Sequence, residues 1–154
     1  MSEIKWVFLD MGSTLVDESD VYESRCNYVI SAKGLEHDEF IEKVHHAAKV
    51  SPTPIKQAAQ AYGVALPEWN SSLEKLYLET EDVLKALSGK YKLGIIANQL
   101  AGTQKRLHNW GVLQYFDVVA ASAEAGYEKP DLRIFRSEER RVGKECRSRW
   151  SPYH

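Results

Sequence analysis

The chain is poor in cysteine: among its 154 residues only Cys26 and Cys146 carry a thiol, and they lie far apart. Two such residues make neither a disulfide framework nor a zinc-ligand spacing, so a reduced, cytoplasmic setting is the default expectation. Long apolar runs are missing as well. The longest falls far short of the roughly 18 residues that a membrane helix needs, and the first residues lack the basic and apolar regions of a secretory leader. Charge is nearly balanced, at −2 overall, so no global field marks a nucleic-acid or membrane-surface partner. No internal repeat is visible. What is there, at 44% hydrophobic residues, suits one globular domain with room for a small insert.

The overall balance conceals a seam near residue 135. Residues 136–154 hold five Arg, one Lys and three Glu, a net of +3 against −5 for everything before them. Ahead of the seam Lys outnumbers Arg eleven to three, and behind it the preference reverses. This tail has no helical or strand period and almost nothing apolar to bury. It reads as an unstructured Arg-rich segment or a basic arm. It also resembles the conceptual translation of a sequencing-library adapter fused to a truncated gene. On that resemblance the native sequence is expected to break off near Phe135.

The richest stretch lies at the other end. Trp6-Val7-Phe8-Leu9 is a short apolar run closed by Asp10, a Gly12-Ser13 turn and the hydroxyl of Thr14. Such a run reads as a buried strand of a parallel sheet. In open α/β sheets ligands bind beyond the carboxyl ends of the strands, where Asp10 would stand as a candidate nucleophile or metal ligand. Residues 20–62 are helical in period, with Gly34 a stop and Pro52 and Pro54 breaks. Over 63–79 the pattern is ambiguous: a Gly/Pro turn, then Trp69, Leu73, Leu76 and Tyr77 at helical intervals. Thr80 opens a helix as its N-cap, ahead of Glu81 and Asp82, which suit the helix dipole. Tyr91–Ala97 is a second buried strand, Thr103–Trp110 a helix stopped by Gly111, and Phe116–Ala121 a third strand. This alternation predicts a doubly wound α/β domain.

Polar groups now stand at three strand ends in order: Asp10 with Thr14, then Asn98, then Lys129. Together, Phe8-Leu-Asp-Met-Gly-Ser-Thr-Leu15 and Glu128-Lys-Pro-Asp-Leu-Arg-Ile-Phe135 resemble the haloacid dehalogenase (HAD) superfamily of hydrolases over residues 4–135. The resemblance implies a Rossmann-like parallel sheet built from residues 1–16 and 78–135, incomplete at its C-terminal end, with a helical cap inserted over 17–77. It implies a small phosphorylated metabolite as substrate and an aspartyl-phosphate formed on Asp10. Lys129 would neutralise the nucleophile and the phosphoryl group, Thr14 and Asn98 would bind substrate, and Asp131 would orient Lys129. Magnesium would bridge Asp10, a phosphate oxygen and the carbonyl of Gly12.

Three positions depart from the pattern. Where phosphatases of the family carry a second Asp as proton donor, this chain has Gly12. Ala97 replaces the hydroxyl residue expected at the second strand end. The acidic motif that completes the metal site is absent. The chain as written is therefore expected to be a poor phosphatase, favouring good leaving groups. Two alternatives stay open: a 2-haloacid dehalogenase-type hydrolase, which needs neither acid nor metal, and a non-catalytic HAD-fold binding protein. His45 and His46 lack partners at ligand spacing. Nothing in the sequence sets an oligomeric state.

Overall fold

A computed structural model describes residues 4–136. Three strands form a parallel sheet: β1 (Trp6–Leu9), β4 (Lys92–Ala97) and β5 (Val118–Ala121), in the order β1-β4-β5. Leu9 pairs with Ile95, and Ala97 with Ala121, so the three strands finish close to one another at their carboxyl ends. β4 is central, and its residues Leu93–Ala97 are all buried, which is why it reads as an unbroken apolar run.

Side chains alternate across the sheet and build a core on each face. Leu93, Ile95 and Ala97 join Met11, Leu84 and Leu107 on one side. Ile96 and Ala120 meet Ile134 on the other, with Phe8 and Phe135 packed against them. The first face is covered by α4 (Thr80–Ser88) and α5 (Thr103–Asn109). The second is covered by α6 (Ser122–Ala125) and a helical stretch over 132–136. Each of the fully buried leucines contributes about 1.5–3 kcal/mol relative to an exposed one. The chain is thus α/β, with helices on both faces of a parallel sheet. Within that sheet the Phe8 ring lies over its register partner Gly94, filling the space where a Cβ would be.

The described chain divides into two compact units. One comprises the residues up to Val16 and from Leu76 onward; the other is Asp17–Lys75. The chain passes from one to the other along β2 (Val16–Asp17) and β3 (Lys75–Leu76), which pair as a two-stranded ribbon. The second unit holds α1 (Ser19–Lys33), α2 (His37–Ala48) and α3 (Pro54–Ala61) around Cys26, Val29, Phe40, Ala58 and Ala59. Gly34 ends α1 in the left-handed conformation at φ 61°, donating its N–H to Ile30. Burial pushes the Cys26 thiol pKa up, with Glu23 adding to the shift. Among the described residues no helix is long and apolar enough to cross a membrane.

Several sequence expectations need correction. Over 63–79, where the sequence pattern is ambiguous, the helical intervals of Trp69, Leu73, Leu76 and Tyr77 do not make a helix. Asn70 turns the chain by accepting the Ser72 N–H on its side chain at 3.2 Å, and Trp69 Nε1 is held by Glu74 at 2.7 Å. A local side-chain bond of this kind competes with helix formation. Only a 3-10 turn, Ser71–Leu73, results. Thr80 is inside α4, not its cap: Glu79 takes that place, and the buried Thr80 hydroxyl donates to the Leu15 carbonyl at 2.7 Å. β5 starts at Val118, because Asp117 brackets Leu93, donating its N–H to the Leu93 carbonyl and accepting the Leu93 N–H on Oδ2. The tail expectation falls on residues outside those described, apart from Arg136, which is helical.

Candidate active site

Asp10 follows β1 directly, and the loop behind it is wound around one carbonyl. That of Met11, whose side chain is fully buried, accepts the N–H groups of Thr14, Leu15 and Val16 at 3.3, 2.9 and 3.1 Å. Ser13 takes the left-handed conformation at φ 55° and donates its N–H to Val16 at 2.8 Å. Gly12 bridges to Val16 across the same turn. A buried apolar anchor beneath a tight turn holds Asp10 in place while leaving its side chain 45% exposed.

Lys129 comes from the far end of the described sequence, on the loop after α6. Its Nζ stands 2.8 Å from Asp10 Oδ1. The same Oδ1 accepts the Met11 N–H at 2.9 Å. Among the described residues no hydrogen bond or ion pair falls on Oδ2, and the side chain is nearly half exposed. The carboxylate therefore has one oxygen held and neutralised and the other without a bond from these residues.

The loop that carries Lys129 is gripped from β4. Asn98, the first residue after that strand, accepts the Lys129 N–H on Oδ1 at 2.6 Å and donates from Nδ2 to the Lys129 carbonyl at 3.0 Å. Gln99 is fixed in turn: its N–H donates to Ser122 Oγ at 3.1 Å, and its side-chain oxygen accepts from Arg106 at 2.7 Å. Ala123 N–H donates to the Gln99 carbonyl at 3.2 Å. This network has no distinctive sequence signature. Its only sequence signal is a run of polar residues after two adjacent strands, which is common in ordinary turns.

The other expected positions are placed as follows. Thr14 is exposed on the Asp10 loop, and Ala97 is fully buried with no hydroxyl to offer. Asp131 does not orient Lys129. It pairs with Arg133, whose Nε lies 2.9 Å and terminal nitrogen 2.6 Å from Asp131 Oδ2. The Arg133 side chain, aided by the Arg133 N–H, lowers the Asp131 pKa to about 2. Arg133 also stacks over Tyr127 at 4.4 Å, closing the base of the loop.

Among the described residues no three His, Cys, Asp or Glu side chains converge on a metal position. Of the ligands that the resemblance implies for magnesium, the loop after β1 supplies one side-chain carboxylate, Asp10, and one main-chain carbonyl, Gly12. Magnesium accepts one or two carboxylates with water and phosphate completing its octahedron, so this donor set fits a weak, phosphate-dependent site. Two surface hollows, one of about 580 Å³ beside Arg25 and Lys56 and one of about 410 Å³ beside Lys5 and Lys90, include neither Asp10 nor Lys129 in their walls. The open arrangement of the carboxylate and its ammonium neighbour carries more chemical weight than either hollow.

A family model described as haloacid dehalogenase-like hydrolase matches residues 7–143. The chain is 30% identical over 139 residues to a glyceraldehyde 3-phosphate phosphatase of Methanothermobacter thermautotrophicus, covering 89% of this chain and 60% of that protein. It is 38% identical over 68 residues to the pyrimidine 5'-nucleotidase YjjG of Escherichia coli, covering 44% of this chain and 30% of that one. The matched stretches span 60% and 30% of the length of these curated relatives, less than two thirds of either. A HAD-superfamily hydrolase of subfamily IA from Geobacter sulfurreducens shares the fold, with a TM-score of 0.64 at 16% identity over 92% of this chain and 75% of that one.

Proposed function

Because this chain belongs to the haloacid dehalogenase-like hydrolases, we propose that it is built to hydrolyse small phosphate esters through a phosphoryl group held on Asp10. The observation that carries this reading is the uneven bonding of that half-exposed carboxylate: Lys129 and Met11 both bind Oδ1, and no described residue bonds Oδ2. Oδ2 attacks phosphorus, the bond to the ester oxygen breaks, and its electron pair leaves with that oxygen, as an alkoxide or aryloxide that takes its proton from solvent. Water then attacks the same phosphorus, giving inorganic phosphate and restoring the carboxylate. The two displacements replace one harder one.

Lys129 balances the charge of the incoming phosphate, and the Thr14 hydroxyl is assigned to a phosphate oxygen. Gly12 has no proton to give, so the leaving group departs unassisted by this loop and good leaving groups are favoured. Asp10 and the Gly12 carbonyl would hold Mg2+, which supplies further neutralisation of phosphate charge when bound. The Asp17–Lys75 unit is assigned the part of a specificity cap. The two curated relatives are named for a phosphorylated aldehyde and for nucleotides, which supports a small phosphorylated metabolite as the substrate class.

The test is turnover of acetyl phosphate and an aryl phosphate with magnesium present. Asp10→Asn is expected to abolish it, and undiminished turnover in that variant rejects the reading. One observation favours a second reading: Gly12 leaves the site without an acid, as halide displacement would allow. Chloride release from a 2-haloacid in the absence of magnesium would select that reaction instead.

A further inference from the structure

We propose that Asn98 is a positioning residue, whose side-chain amide clamps the main chain of Lys129 and so sets the ammonium group opposite Asp10. The inference rests on the catalytic reading of Asp10 and Lys129 for its functional part, and on geometry alone for the clamp. Lys129 Nζ is carried on a long, flexible side chain from a loop, and such a side chain reaches one position reliably only if its root is fixed. The root is fixed twice. Asn98 Oδ1 takes the Lys129 N–H at 2.6 Å and Nδ2 gives a hydrogen to the Lys129 carbonyl at 3.0 Å.

The pairing also settles which way the amide points. A donor and an acceptor on the same residue can be met by only one orientation of an Asn side chain. Asp in its place would lose the donor, and Ser or Ala could not span both groups. The clamp has a firm base, since the next residue, Gln99, is bonded to Ser122, Ala123 and Arg106. Asn98 lies directly beyond β4, and β4 is paired with β1, which delivers Asp10. The sheet therefore holds both partners of the 2.8 Å ion pair: Asp10 through β1, and Lys129 through β4 and the Asn98 amide. Asn98 acts on the reaction through Lys129.

The decisive experiment is a double-mutant cycle on the 154-residue chain, combined with amide exchange. Asn98→Ala is expected to lower kcat for acetyl phosphate by about ten- to a hundredfold, the scale of a displaced charged group, with KM changed less than kcat. In a Lys129→Ala background the same substitution is expected to cost nothing further. By NMR, Asn98→Ala should remove the exchange protection of the Lys129 amide and move its Nζ signal to that of a solvated lysine. The amides of Leu93 and Asp117, bonded across β4 and β5, should stay protected and so report an intact fold. Multiplying losses in the cycle would make Asn98 a direct substrate contact and overturn the proposal, as would a Lys129 amide that stays protected in Asn98→Ala. If the unmutated chain turns over no phosphate ester, the Asp10 reading fails, while the exchange and Nζ measurements still decide the clamp.

Discussion

Lys129 and Asp10 lie at opposite ends of the described sequence, yet Lys129 Nζ sits 2.8 Å from Asp10 Oδ1 in a pair that is one quarter exposed on the lysine side and nearly half exposed on the aspartate side. An ion pair so open to water adds only about 0–1 kcal/mol to folding. Its worth lies in charge placement. The two roles predict opposite outcomes for stability and for catalysis.

Lys129→Met should leave the thermal midpoint almost unmoved and lower kcat for acetyl phosphate by about a hundred- to a thousandfold, the usual cost of removing one charge-stabilising donor. Lys129→Arg should not restore the rate, because a planar guanidinium cannot place a compact charge at the same point. Steady-state kinetics beside a thermal melt checks both. A large loss of stability in Lys129→Met would make the pair structural instead.

Gly94→Ala should destabilise the fold. A methyl group there would overlap Cδ1 and Cε1 of the Phe8 ring. Overpacking of this kind costs about 1–3 kcal/mol, against which the stiffer unfolded chain of an alanine variant returns about 0.4–1 kcal/mol. Urea unfolding should therefore show a lowered midpoint with an unchanged slope. Phe8→Leu should soften the effect, since residues in contact do not add.

Asp131 gives a pH dependence of known sign. Its bond to Arg133 lowers its folded pKa from 3.8 to about 2. The folded protein therefore binds this proton less readily than the unfolded chain. The contribution is complete above pH about 4 and is lost as pH falls towards 2. Carboxyl NMR titration should find Asp131 near 2 in the parent and near the ordinary carboxylate value in Arg133→Leu. A parent titration near 4 would remove the pair from solution.

Much of the sheet was legible because its physics is local. The continuous apolar run of β4 follows from burial on both faces, and Gly34 stops α1 because a left-handed residue is needed there. Asp10 and Asn98 could be put at strand ends by the same reasoning, since each directly follows an apolar run. What each side chain touches was not legible. Asn98 meets Lys129 across 31 positions of sequence and Thr80 meets Leu15 across 65; no period encodes such pairings. Sequence alone lets Asp131 face Lys129, two residues before it, whereas in the structure it pairs with Arg133, two residues after. Spacing is symmetric there, and only the fold of the loop decides. The segment after Gly63 is ambiguous in sequence for another reason: its aromatic and leucine spacing is helical, but the Asn70 and Glu74 side chains take the bonds.

The ring of Phe8 resting in the notch at Gly94 has a bearing on how far Asp10 projects. Sliding β1 by one residue along β4 would drive that ring against Leu93 or Ile95 and shift the carboxylate by about 3.3 Å. It would also turn every side chain of the strand to the opposite surface. The notch therefore works as an index mark. A half-buried aromatic group with no chemistry of its own meters the reach of the reactive oxygen.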